Sequence, residues 1–233
     1  MIFAVGHLAA LIEAYFGDGS HWGVQIEYAR EDRPLGTAGP LGLLKKSLPS
    51  DFLVVNGDVI SDLDFRGFLL AHRTERPRRL LTIATHQRVL QSEYGVLETA
   101  ADGQVRAYSE KPSYTLRVSE GVYAFSRAAL DWISAGERMD FPELVVALLQ
   151  TGESVVAWPH TGLWLDIGRP EDYDQAQDLV SRHPHLFAAL TRGQVFNSEP
   201  IGPSLPDSSP GVDGAFVAFS KRGENEHDRG DTD

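Results

Sequence analysis

The chain has 233 residues, 42% of them hydrophobic and 23% charged, with a formal net charge of −12, which is enough material for one large α/β domain with a substantial core. It contains no cysteine, which excludes disulfides, thiolate catalysis and cysteine-ligated zinc and fits a cytoplasmic protein. The acidity argues against a nucleic-acid-binding surface, and no apolar run reaches the length of a membrane span.

Met1 to Val5 are apolar and open the chain. From His7 the pattern turns helical, with Leu8, Leu11, Ile12, Tyr15 and Phe16 on one face and Gly17 as the stop. Val24 to Tyr28 alternates as a short strand. Glycines 17, 19 and 23 follow a helix rather than a strand, so they read as a stop and turn and not as a dinucleotide fingerprint. The polar loop from Arg30 runs into Pro34-Leu35-Gly36-Thr37-Ala38-Gly39-Pro40-Leu41, which opens a helix carrying Leu41, Leu44 and Leu48. Small residues at a helix entry let a flat ligand approach the backbone N–H groups; a plain cap with a packing glycine fits the same residues.

Asp51-Phe52-Leu53-Val54-Val55-Asn56-Gly57-Asp58 is the central stretch. Its apolar run is too short for a helix and reads as a strand buried on both faces of a parallel sheet. Ligands bind beyond the carboxyl ends of such strands. Asp58 emerges there and is suited to Mg²⁺, although Asn-Gly-Asp is also turn chemistry. Asp64 is placed to cap a helix carrying Phe65, Phe68, Leu69 and His72.

Leu80 to Thr85 reads as another buried strand, and Tyr94 to Glu98 pairs with Val105 to Ser109 across an Asp102-Gly103 turn. Glu110-Lys111-Pro112 sets an acid and a base side by side, and Arg117 to Phe125 alternates around a mid-strand Gly121 of the kind that marks close approach. Ser126 is placed to cap a helix through Ile133, and Asp140-Phe141-Pro142-Glu143 is a capped helix start. Val155 to Trp158 is a short strand. Asp166 lies within Leu163-Trp164-Leu165-Asp166-Ile167, where a carboxylate needs a metal or a salt bridge. Arg169-Pro170-Glu171-Asp172 opens a helix carrying Tyr173, Ala176 and Val180. His183 and His185 read as a solvated helix end. Residues 200–233, with four prolines and seven acids against three basic residues, read as a disordered acidic tail.

Taken in order, Glu31 through Leu41, Val55 to Asp58, Tyr94-Gly95-Val96, Glu110-Lys111-Pro112, Gly121-Val122-Tyr123 and Trp164 through Tyr173 resemble the sugar-1-phosphate nucleotidyltransferase family. The Pro-Leu-Gly-Thr-Ala-Gly run leans toward its mannose-1-phosphate guanylyltransferase-like branch. The resemblance implies a Rossmann-like three-layer α/β/α fold with a mostly parallel mixed sheet, occupying residues 1–190. It also implies a transferase of nucleotide-sugar biosynthesis that joins an NTP to a sugar-1-phosphate and releases pyrophosphate, with neither nucleic acid nor membrane as partner and a homo-oligomer left open.

The resemblance places Asp58 and Asp166 on Mg²⁺. Leu35, Gly36, Thr37, Asn56 and Gly57 would line the nucleotide pocket. Gly95, Glu110 and Gly121 would contact the sugar, and Lys111 its phosphate. Asp58, Lys111 and Asp166 would then carry catalysis by alignment and charge neutralisation. Two departures stand out. Ser119 sits where the family often has asparagine, and the family's first strand with its glycine-rich G-x-G-x-R-L-x-P loop has no counterpart. The expectation is therefore an N-terminally incomplete domain with an opened sheet and impaired activity. A non-catalytic NDP-sugar-binding or regulatory homologue is the alternative. A metal-dependent glycosyltransferase using the Asp62-Leu63-Asp64 spacing is a further one, set against a plain helix cap.

Overall fold

A computed structural model describes residues 1–74, 79–182 and 216–219 of the protein. Five helices are α1 (Ala9–Phe16), α2 (Gly39–Leu44), α3 (Phe65–Thr74), α4 (Phe141–Gln150) and α5 (Pro170–Arg182). Eleven strands accompany them among the described residues. Seven form the main sheet: β1 (Ile2–Val5), β2 (Glu27–Arg30), β3 (Asp51–Asn56), β5 (Leu81–Gln91), β8 (Ser113–Ser126), β9 (Val155–Pro159) and β11 (Phe216–Phe219). The other four pair off as β4 (Val59–Ser61) with β10 (Trp164–Asp166) and β6 (Val96–Thr99) with β7 (Val105–Ser109).

The main sheet runs β2-β1-β11-β3-β8-β5-β9. Every neighbouring pair is parallel except the two made by β8, which is antiparallel to both β3 and β5. The period-2 pattern of β3 explains the layering. Phe52 and Val54 face a core shared with Leu41, Leu130, Leu144 and Leu148. Leu53 and Val55 face a second core built on Phe68 and Leu69 of α3. In β8, Tyr123 and Phe125 join the first core, and Val122 and Ala124 the second. Helices α2 and α4 therefore cover one face and α3 the other, the three-layer α/β/α arrangement expected. Among the described residues no helix is long and apolar enough to cross a membrane.

The strand β11 was not foreseen. Phe216–Phe219 lies inside the span expected to be a disordered tail, and it enters the sheet between β1 and β3, parallel to both. Val217 pairs with Ile2 on one side and Val54 on the other, and it is fully buried in the first core. The sheet is thus not opened where a first strand was expected to be missing; a strand from the far end of the sequence stands there. The remainder of 200–233, and His183 and His185, lie outside the described residues. An averaged tail composition hides β11, because four apolar residues are outweighed by the prolines, serines and acids around them.

Smaller differences have local causes. Helix α1 buries none of its residues: Phe16 packs on Phe3, but Leu8, Leu11 and Tyr15 are exposed. Ser126 does not cap a helix; its hydroxyl donates to Asp51 Oδ1 at 2.8 Å, and the next six residues form a 3₁₀ turn. Asp64 does cap α3, accepting from Gly67 N at 3.0 Å. Asp140 and Glu143 form the expected reciprocal capping box on α4.

Candidate active site

The site begins at the end of β3. The chain turns through Gly57 and Asp58 into β4, which pairs antiparallel with β10 so that Val59 lies opposite Asp166. The backbone N–H of Ile167 donates to the Asp58 carbonyl at 2.9 Å. Beside it, the Gly168 N–H donates to Asp166 Oδ1 at 3.2 Å. A side chain on Gly168 would place its Cβ 3.0 Å from Asp58 Oδ2 and 3.1 Å from Asp166 Oδ1. Two carboxylates more than a hundred residues apart in sequence therefore approach one point, where a side-chain carbon on residue 168 would sit tightly against both. Paired carboxylate oxygens are the donor type that Mg²⁺ favours, so these residues fit the ion that the resemblance implies.

A part-buried ion pair holds Asp166 in place. Its backbone N–H donates to Asp172 Oδ2 at 3.0 Å, and Arg88 donates to the same oxygen at 2.5 Å. Burial of Asp172 opposes its ionisation. The Arg88 hydrogen bond, the Asp166 N–H and the charges of Arg88 and Arg169 outweigh that and hold the carboxyl below its ordinary value. Asp172 also stands in the acidic first turn of α5, where the helix dipole favours an anion. The Arg88 guanidinium sits 4.7 Å over the Trp164 ring, so one arginine braces both the acid and the aromatic of β10.

The residues expected to line the nucleotide pocket lie in two places. Leu35 is buried, and its N–H donates to Glu31 Oε2 at 2.7 Å. Gly36 has φ +78°, and a side chain there would strike Asp140 and the Met139 carbonyl. Thr37 is exposed; its N–H donates to Asp140 Oδ1 at 3.1 Å and its hydroxyl accepts from Phe141 N at 2.7 Å. This turn is thereby fastened to the start of α4. Asn56 and Gly57 sit at the end of β3, and the Asn56 amide lies 2.6 Å from where a Gly121 side chain would begin. Gly121 has φ +76° and is buried, so it brings β8 up against Asn56 as few other residues could. Ser119, at the departure from the family pattern, accepts from the Gly121 N–H and donates to the Tyr123 hydroxyl.

Gly95, Glu110 and Lys111 belong to the β6–β7 hairpin. Tyr108 joins them: its ring covers Gly95, and its hydroxyl donates to Glu110 Oε2. That hydrogen bond, with some burial, raises the phenol above its ordinary pKa. Lys111 takes φ +44°, an unusual left-handed conformation for a residue with a side chain. The following Pro112 carbonyl accepts from Ser92 N at 2.9 Å and ties the hairpin back to the end of β5.

The structure thus brings Asp58 to Asp166, Asn56 to Gly121, and Gly95 to Glu110. Sequence reasoning did not identify Arg88, Tyr108 or the buried role of Asp172. Asp172 was visible as an acid at a helix start; its arginine partner, 84 positions earlier, was not. Asp62 and Asp64 have separate partners, Asp62 with His160 and Asp64 at the start of α3.

Comparison with known proteins gives a consistent result. The family model described as "Nucleotidyl transferase" matches residues 2–182. The UTP–glucose-1-phosphate uridylyltransferase of Synechocystis sp. is 32% identical over 196 residues, covering 76% of this chain and 50% of that protein. The mannose-1-phosphate guanylyltransferase of Mycobacterium tuberculosis is 34% identical over 187 residues, covering 77% and 51%. The chain thus spans about half the length of these curated relatives. The crystal structure of HddC from Yersinia pseudotuberculosis superposes with a TM-score of 0.57 at 25% identity, covering 76% of each chain.

Proposed function

Because this chain belongs to the nucleotidyl transferase family, we propose that it carries the catalytic surface of a sugar-1-phosphate nucleotidyltransferase, of the GDP-mannose-forming type. The convergence of Asp58 and Asp166 on Gly168 is the observation that carries this reading. It supplies two acidic oxygens at the end of β3, where an α/β sheet places its ligands.

In this reading the sugar-1-phosphate oxygen attacks the α-phosphorus of the NTP, and pyrophosphate leaves. The protein contributes alignment and charge rather than covalent chemistry. Asp58 and Asp166 hold Mg²⁺, which when bound offsets the charge of the phosphate oxygens. Arg88 and Asp172 keep the Asp166 backbone in place. Lys111 faces the sugar phosphate, Glu110 and the Gly95 N–H face sugar hydroxyls, and Gly121 leaves room for the ring. Leu35, Gly36, Thr37, Asn56 and Gly57 line the nucleotide side. No stretch of the 233 residues supplies a G-x-G-x-R-L-x-P loop for the triphosphate, so slow transfer by this chain is expected.

Binding and turnover are therefore measured separately. Calorimetry with GTP and Mg²⁺, and with GDP-mannose, reads binding; pyrophosphate release with mannose-1-phosphate reads transfer. Asp58→Asn and Asp166→Asn should each weaken Mg²⁺-dependent nucleotide binding by about tenfold or more, from the loss of a charged ligand. Variants that bind as tightly as the parent would overturn the reading. Saturable GDP-mannose binding without pyrophosphate release at any enzyme concentration would favour a binding homologue instead. A preference for UTP and glucose-1-phosphate would correct the branch alone.

A further inference from the structure

A second group of chemically active side chains shares no residue with the Asp58–Asp166 pair. Three adjacent strand segments each contribute one residue: His86 from β5, Glu120 from β8, and His160 from the residue after β9. The register explains how Glu120 reaches the interior. Ile83 pairs with Tyr123 but Thr85 pairs with Ser119, so β8 carries extra residues opposite Ala84. That bulge, with Gly121 at positive φ, directs the Glu120 side chain inward, where it is fully buried.

The local geometry is that of a metal-binding group. His160 Nδ1 lies 2.8 Å from Glu120 Oε1, and His86 Nδ1 lies 3.4 Å from the same oxygen. One ligand atom from each residue falls within 4.8 Å of the others. Glu120 Oε2 and His86 Nδ1 are buried and have no hydrogen-bond partner among the described residues. A buried carboxylate facing two imidazoles, with donor atoms left over, calls for a cation.

We propose that His86, Glu120 and His160 bind a divalent transition metal of the zinc type. Two imidazole nitrogens and one carboxylate oxygen suit zinc, whereas Mg²⁺ takes mainly oxygen. The surroundings complete the site. His160 Nε2 lies 2.9 Å from Asp62 Oδ1, and the tautomer that donates its proton there would leave Nδ1 with its lone pair toward Glu120. A carboxylate behind a ligating histidine is the usual outer partner that fixes the tautomer. Trp164 donates its indole N–H to the Glu120 carbonyl at 2.9 Å and lays its ring against His86, 5.5 Å between centroids. Gly162 is needed there too: a side chain would clash with both Asp62 and His160. The metal would pin β5, β8 and the chain leading into β10 together.

The test uses the full chain, stripped with chelator and titrated with Zn²⁺ by calorimetry, and with Co²⁺ as an absorbing probe. One equivalent of Zn²⁺ should bind, and Co²⁺ should show the visible bands of a low-coordinate nitrogen–oxygen site. Glu120→Gln and His160→Gln should each weaken Zn²⁺ by about a hundredfold, and Asp62→Asn by about tenfold, within the range seen for ligand and outer-shell changes. His86→Gln, at the most exposed of the three positions with 22% of its side chain accessible, provides a variant that should keep its fold and still lose affinity. Asp58→Asn should bind Zn²⁺ as the parent does, so the two sites can fail independently. A folded parent chain that binds no Zn²⁺ at micromolar concentration would overturn the proposal. So would binding that survives His86→Gln and Glu120→Gln but disappears in the His183→Gln, His185→Gln double variant.

Discussion

Strand β11 offers the sharpest perturbation of the architecture. Val217 is 0% exposed and shares a core with Ile2, Ala4, Phe52 and Val54. Val217→Ala deletes two methyl groups, about 1.6 kcal/mol of burial at about 0.8 kcal/mol each, and the cavity left behind brings the loss to about 2 kcal/mol. In a chain of this size each kcal/mol moves the melting midpoint by about 2–4 °C, so a fall of about 4–8 °C is expected. Val217→Asp is harsher. A lone carboxylate between β1 and β3 costs several kcal/mol, a large part of a typical stability of about 5–15 kcal/mol. The assay is thermal unfolding by circular dichroism together with hydrogen exchange of the amides in β1 and β3. Leu149→Asp, on the exposed side of α4, is the control and should leave the midpoint near that of the parent. Were Val217→Asp to melt within about 2 °C of the parent, with β1 and β3 equally protected, β11 would not belong in the sheet.

Other consequences can be checked one residue at a time. Gly121→Ala forces a side chain into φ +76° and into the Asn56 amide, so it should cost about 1–3 kcal/mol in urea denaturation; an unchanged midpoint would contradict the close approach of β8 to β3. Asp140→Ala removes the acceptor for Thr37 N and half of the α4 capping box, and should cost about 1–2 kcal/mol by the same measurement. Glu110→Gln removes the carboxylate that stabilises the protonated Tyr108 hydroxyl. Its raised pKa should therefore fall toward the ordinary phenol value, read from the ring resonances of Tyr108 across alkaline pH; an unshifted titration would mean that the pair is not formed in solution.

The sequence made the central strand legible because its physics is local. Phe52 to Val55 are apolar on both faces, and Asn-Gly-Asp can only end such a run. The start of α4 was equally plain, since Asp140, Pro142 and Glu143 each act within one helical turn. Asp58 and Asp166 are each legible alone as carboxylates beside strand ends, and their meeting at Gly168 follows from the β4–β10 pairing. What stayed hidden depends on distance or register. Arg88 finds Asp172 only after β5 and α5 are packed. Glu120 reads as one more polar residue of an alternating strand, because nothing in the residue types announces the bulge that turns it inward. The exposed apolar face of α1 shows the converse, a periodic stripe that the fold leaves uncovered.

The place of β11 also governs when the protein can finish folding. Val217 pairs with Ile2, more than two hundred positions earlier in the sequence, and with Val54 on its other side. Until that pairing forms, β1 and β3 carry two facing rows of unsatisfied backbone groups. Sequence separations this wide delay closure of the sheet, and they make β11 the latch on which completion waits.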